Sequence, residues 1–170
     1  GYNATLFAYG QTGAGKTYTI GEMSLLGGPH EGVAHRMVRA LYENPPADLG
    51  ATPTAWSVRY VQVYVEKVYD LLAPPSENPQ SLPLREDKQM GVYVAGATTL
   101  PAPTADECLA ILKRGSGNLS FAATKMNRHS SRSHAVCRIF VECEVDRSSE
   151  GASGGGGGRG HGDDGGGAPL

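Results

Sequence analysis

Apolar positions recur along this chain with a period that changes from segment to segment, and each period predicts an element. Residues 4–9 (ATLFAY) form a nearly unbroken apolar run closed by Gly10, which fits a short central strand buried on both faces. A glycine-rich turn and a helix start are expected next. Past Ile20, Gly21, Gly27, Gly28, Pro29 and Gly32 break the helical pattern with a surface loop. The period resumes with Val33, Met37 and Leu41 until Pro45 and Pro46 stop it. Residues 56–65 (WSVRYVQVYV) are β-branched and aromatic and mostly apolar on both faces, as in a sheet interior. Val65, Val68, Tyr69 and Leu72 then shift to helical spacing, up to Pro74 and Pro75.

Residues 84–99 alternate around 87–91 as a hairpin would. Thr104 and Glu107 fit a capping box, in which hydroxyl and carboxylate each accept from a free backbone N–H at a helix start. The helix should run on through Ile111 and Leu112, weakened by Gly115 and Gly117. Ala135, Cys137, Ile139, Val141, Cys143 and Val145 take every second position, with Arg138, Glu142 and Glu144 between them, which is the clearest strand in the chain. Strands alternating with helices predict an α/β domain built on a central sheet.

Composition separates a tail from this body. Eleven of the 24 glycines fall in residues 151–170, and without them the remainder has a near-average composition. The tail is expected to be disordered, since glycine has the largest ordering cost and few apolar side chains are present to offset it. The net charge of -2 gives no argument for nucleic acid or an anionic membrane as partner. No run approaches the about 18 to 20 apolar residues of a membrane-spanning helix. Cys108, Cys137 and Cys143 are odd in number and lack metal-ligand spacing, so they are read as reduced core residues. His30, His35, His129, His134 and His161 have no metal-type spacing either, and loop or surface positions are expected for most of them.

The strongest chemical signal is Gly10-Gln11-Thr12-Gly13-Ala14-Gly15-Lys16-Thr17, a full G-x-x-x-x-G-K-[ST] match between a predicted strand and a predicted helix. Gly10, Gly13 and Gly15 let the backbone turn sharply and aim successive N–H groups at one point, where a helix N-terminus adds positive partial charge. Such a loop cradles a polyphosphate. Lys16 can reach its β- and γ-phosphates, and the Thr17 hydroxyl suits a Mg²⁺ ion that keeps most of its waters.

The surroundings of the loop are more specific. The stretch GYNATLFAYGQTGAGKTYTI, and the block Asn127-Arg128-His129-Ser130-Ser131-Arg132-Ser133-His134 placed immediately before a strand, resemble the phosphate-loop and switch I segments of kinesin motor domains. Residues 64–72, 84–97 and 122–127 are similar to further family segments, so the likeness covers about residues 1–145. It implies a P-loop NTPase of the α/β class, with a central, mostly β sheet flanked by helices. A partial motor domain is expected over residues 1–147, and a disordered tail or truncated loop insertion over 148–170.

The resemblance also implies an ATPase that moves along microtubules in the cytoplasm, using ATP and Mg²⁺, with neither nucleic acid nor membrane as partner. Gly10 to Thr17 would hold the phosphates, with Tyr18 near the adenine. Asn127 would face the γ-phosphate, Ser130 and Ser131 would approach it and the Mg²⁺ shell, and Arg132 would pair with a switch II glutamate. The hairpin near Glu86 and Tyr93 resembles a secondary tubulin contact.

The chain departs from the family pattern in several ways. It starts without methionine, so Gly1 is read as a truncation point, and the early Arg-x-Arg-Pro segment is absent. It ends before a switch II Asp-Leu-Ala-Gly-Ser-Glu stretch, so turnover by this chain alone is expected to be close to background. Leu119 stands where family members often carry Arg. The alternative reading is a non-catalytic kinesin-like module that binds nucleotide or tubulin.

Overall fold

One strand, β1 (Ala51–Tyr64), organises the sheet by using both of its edges. In the computed structural model, residues 3–21, 26–45, 51–74, 76, 79–88, 91–125 and 133–145 are described. Along one edge, β1 pairs antiparallel with β6 (Ser133–Val145) from Ala51↔Val145 to Tyr64↔Ser133, with an irregularity between Pro53 and Ala55. Along the other edge lie β2 (Lys67–Asp70), opposite residues 61–64, and the two-residue β5 (Leu100–Pro101), opposite Ser57 and Val58. β3 (Leu84–Asp87) and β4 (Gly91–Val94) form a separate hairpin, as the alternation predicts.

Three helices complete the described fold: α1 (Lys16–Ile20), α2 (Val33–Glu43) and α3 (Ala105–Lys125). The capping box is present at the start of α3. The Thr104 N–H donates to Glu107 Oε2 at 3.1 Å, and the Glu107 N–H donates to Thr104 Oγ1 at 3.2 Å. α2 and α3 lie on the sheet face that carries Trp56, Val58 and Tyr60. There Val38, Leu71, Leu72, Ala102, Cys108, Leu109 and Leu112 close the core. The Tyr42 ring stacks on Trp56 with centroids 4.1 Å apart, and its hydroxyl donates to the Ala102 carbonyl.

The segment read as helical at Val65–Leu72 is instead a tight hairpin followed by a turn. Val65 and Glu66 both adopt left-handed φ, 46° and 61°, which lets a two-residue loop join β1 to β2 with the right twist. The helical spacing arose because Val68 faces the core from a strand, whereas Leu71 and Leu72 reach it from the following turn. Asp70 makes that turn: its carboxylate accepts from the N–H groups of Leu72 (2.8 Å), Ala73 (3.2 Å) and Thr98 (2.7 Å). α3 is fastened to the same turn, since Arg114 Nη2 donates to Leu72 O and Asn118 Nδ2 to Leu71 O.

Other expectations also change. Residues 4–9 pair with no strand among the described residues, and Phe7 and Tyr9 are 79% and 93% exposed. An apolar run becomes a central strand only where neighbouring strands pair with it, and no described strand pairs with this one. α2 buries His35 and Val38 rather than the Val33, Met37 and Leu41 stripe, because the turn toward α1 and α3 comes from that side. Among the cysteines, Cys108 is buried as expected, and burial pushes its thiol up to about 11, which keeps it protonated and inert. Cys137 and Cys143 are exposed because no described element covers those parts of β6.

Gly115 does not end α3; it lets α3 approach the sheet. A Cβ at this position would lie 2.1 Å from Tyr60 Cδ1, whereas one at Gly117 would meet nothing within 4 Å. The pair gives a test with opposite signs. Gly117→Ala should stabilise the chain by about 0.5–1 kcal/mol through helix propensity. Gly115→Ala should lose that gain and cost about 1–3 kcal/mol from overpacking against Tyr60. Urea denaturation of both variants reads the difference, and equal gains would mean that α3 does not rest on Tyr60.

Candidate phosphate-binding site

The loop before α1 has the shape its glycines demand. Gly10, Gly13 and Gly15 have φ of 155°, 84° and 83°, values that L side chains rarely adopt. At Gly10 space is limiting too, since an added Cβ would lie 3.0 Å from that of Ala14. The Ala14 N–H donates back to Gln11 O at 3.2 Å, which closes the turn. Gly15 serves as the N-cap of α1, and the Thr19 N–H donates to its carbonyl at 2.9 Å.

Lys16 folds back over the loop instead of pointing into solvent. Its Nζ donates to Gly10 O at 2.6 Å and to Gln11 O at 2.7 Å. An ammonium held by two carbonyls at the mouth of the loop can exchange those neutral acceptors for anionic oxygens without moving far. Thr17 follows on the first helical turn and is exposed, as are Gln11, Thr12, Gly13, Ala14 and Gly15. α1 has only five residues, so the expected helix-dipole contribution is small and the loop N–H groups with Lys16 carry the electrostatics. Behind the loop, a hollow of about 220 Å³ runs between the unpaired 4–9 segment and α1, lined by Leu6, Phe7, Tyr9, Lys16, Ile20 and Val33.

Tyr18 stands beside the loop, 55% exposed, with its hydroxyl 3.4 Å from His30 Nδ1. Behind them the chain is held by a close crossing. A Cβ on Gly32 would lie 2.2 Å from Gly21 Cα, and one on Gly21 would meet the His35 ring at 2.8 Å. The Glu31 carboxylate accepts from Arg39 Nη1 and from Gly27 N, and these bonds, the one from Arg39 above all, hold its pKa below the usual carboxylate range. Arg39 comes from α2, so this ion pair fastens the end of the loop to that helix.

Asn127, Ser130, Ser131 and Arg132 lie outside the described residues. What is described is where that block meets the sheet: Ser133 opens β6, and its Oγ accepts from Gln62 Nε2 at 2.7 Å. Gln62 is buried to 3% exposure on β1. Sequence reading passed over it, although a lone glutamine in an apolar strand was the available signal. His35 was also missed. It is fully buried, contrary to the surface expectation, and neither ring nitrogen has a partner among the described residues.

A glycine-turned loop closing on a lysine, with a threonine next to it, defines a P-loop nucleotide-binding protein. The family model of the kinesin motor domain matches residues 1–155, and the chain belongs to that family. It is 42% identical over 141 residues to a kinesin heavy chain of Syncephalastrum racemosum, an alignment covering 83% of this chain and 15% of that protein. Kinesin-like protein 3 of Schizosaccharomyces pombe is 42% identical over 137 residues, covering 80% of this chain and 24% of its own. A solved structure of a fast kinesin, described for its ATPase mechanism and interactions with microtubules, superposes with a TM-score of 0.71 at 39% identity. That match takes in 82% of this chain and 38% of the other. The chain therefore spans well under half the length of each of these relatives.

His35 gives the site a pH dependence. Burial against the Gly21 crossing disfavours its charged form and holds its pKa below the usual 6.5; Glu31 opposes this and Arg39 adds to it. The unfolded chain then binds a proton at higher pH than the folded one. Stability should be complete above the unfolded value and fall as pH drops through about 6.5 towards the lowered folded value. His35→Leu should flatten that slope, as read by urea midpoints between about pH 8 and 5. An unchanged slope would show that His35 is not buried neutral.

Proposed function

We propose that this chain is the nucleotide-binding part of an ATP-hydrolysing motor that moves on microtubules in the cytoplasm. The observation that carries this reading is the Lys16 ammonium held at the mouth of a loop turned by three left-handed glycines. When ATP enters, Lys16 exchanges the Gly10 and Gln11 carbonyls for β- and γ-phosphate oxygens, while the loop N–H groups hold the α- and β-phosphates. Tyr18 flanks the adenine. The exposed Thr17 hydroxyl would hold a Mg²⁺ ion together with water, and that ion would supply neutralisation of the phosphates' negative charge.

By resemblance to the family's switch I, Asn127 faces the γ-phosphate, Ser130 and Ser131 close on it and on the ion's shell, and Arg132 answers an acidic partner. The protein's work in such a transfer is to position water and stabilise spread negative charge. The family relationship supports this reading, and so does the fast kinesin, whose structure is described for an ATPase mechanism and microtubule interactions.

The test places residues 1–145 of this chain within a complete kinesin motor domain. Lys16→Ala should lower microtubule-stimulated phosphate release by at least about a hundredfold, because the phosphates lose their mobile countercharge. Its circular dichroism should match the parent, since among the described residues the Lys16 side chain bonds only to two loop carbonyls. Turnover equal to the parent would refute the assignment. Ser131→Ala in the same protein should lower kcat more than nucleotide affinity, and a change in affinity alone would remove its switch role.

A further inference from the structure

We propose that His30 is a positioning residue of the nucleotide site, whose imidazole holds the Tyr18 ring where the base is to lie. The proposal rests on the reading of Tyr18 as the residue that flanks the adenine. It starts from one contact across the span between α1 and α2: the Tyr18 hydroxyl stands 3.4 Å from His30 Nδ1, with 12 positions between them in sequence. A phenol can donate to an imidazole nitrogen or accept from an imidazole N–H, so the pair is satisfied in either ring tautomer. At 3.4 Å the bond is long, of the kind that tightens when a ligand presses on the ring.

The two partners differ in how they are held. Tyr18 sits on α1, a helix of five residues, and so short a helix has little stability of its own. Its ring needs an outside support. His30 belongs to a turn that is fastened at several points. Gly27 takes a left-handed φ of 81°, the Glu31 N–H donates to Gly28 O at 3.3 Å, and Pro29 fixes φ immediately before His30. The next residue, Glu31, is tied to Arg39 on α2 and back to Gly27 N. One residue further on, Gly32 crosses the backbone of Gly21 at the end of α1. Support therefore runs from α2 through Arg39 and Glu31 to the His30 backbone, and from the His30 ring to Tyr18.

This support has a consequence for binding. A ring that turns freely must be immobilised when the base lies against it, and that ordering costs affinity. A ring already held by a hydrogen bond loses less. His30 itself is exposed, so its contact with Tyr18 orients the site without being part of the core.

The experiment uses the complete motor domain carrying residues 1–145 of this chain and reads ADP affinity by calorimetry. His30→Ala should weaken ADP about three- to tenfold, the range set by freeing one large side chain. Tyr18→Phe, which keeps the ring and loses the hydroxyl, should weaken it equally, and the double variant no further. His30→Asn places an amide atom at the position of Nδ1 and should recover most of the affinity. The urea midpoint of His30→Ala should stay at the parent's value, as expected for an exposed side chain. Tyr18→Ala tests the underlying reading and should weaken ADP more than Tyr18→Phe. If Tyr18→Ala weakens ADP while His30→Ala does not, the proposal falls and Tyr18 keeps its place beside the base. Parent affinity in Tyr18→Ala would remove both. Additive losses in the double variant, no recovery in His30→Asn, or a lowered urea midpoint in His30→Ala would each overturn the proposal.

Discussion

The contact between Tyr60 and Gly115 sets the geometry of most of what is described. With no Cβ at position 115, α3 can lie directly on the ring of Tyr60, and the hydroxyl of that ring reaches Ser116 Oγ at 3.5 Å. β1 is thereby pinned on one face by a helix and on both edges by strands. α3 and β6 lead into and out of residues 126–132, and both are fixed to β1, α3 through Tyr60 and β6 through its ladder and the Gln62–Ser133 bond. The two elements that flank the segment resembling switch I therefore rest on the same strand.

The phosphate loop depends on different physics. Its form follows from local backbone conformation at three glycines and from a lysine that returns to the carbonyls of its own loop. None of these terms requires the sheet. The loop keeps its turn although residues 4–9 before it pair with no strand among the described residues and α1 after it is a turn and a half long. A site that carries its own shape places few demands on its scaffold, and this is one physical reason a phosphate loop can be recognised in sequence without knowledge of the whole fold.

That contrast explains how much was legible. The capping box at Thr104, the β3–β4 hairpin, β6, the extent of α2 and the phosphate loop were all readable, because each is decided by residues a few positions apart. Where tertiary contact decides, the reading failed. The apolar run at 4–9 carries a strand's composition but no described partner. Val65 to Leu72 has a helix's spacing, yet cross-strand pairing of Val63 with Val68 and the three bonds to Asp70 fix another path. His35 carries no local sign of burial, since the crossing that covers it brings together residues from either end of a long loop. Gly115 was read as a helix-weakening residue because the ring it accommodates lies far away in sequence.

The crossing of Gly21 and Gly32 has a practical side. Because the two backbones touch, the span between them starts and finishes at nearly the same point, with its far end tied to α2 by the Glu31–Arg39 pair. Closing a longer span at a fixed pair of ends costs little, about 0.6 kcal/mol for each doubling of length. The span thus offers a place to graft a fluorophore-bearing peptide or an affinity handle near Tyr18 while leaving the phosphate loop's own turn intact. A reporter inserted there would sit close to where a bound nucleotide's base is expected, and its emission would sense occupancy directly.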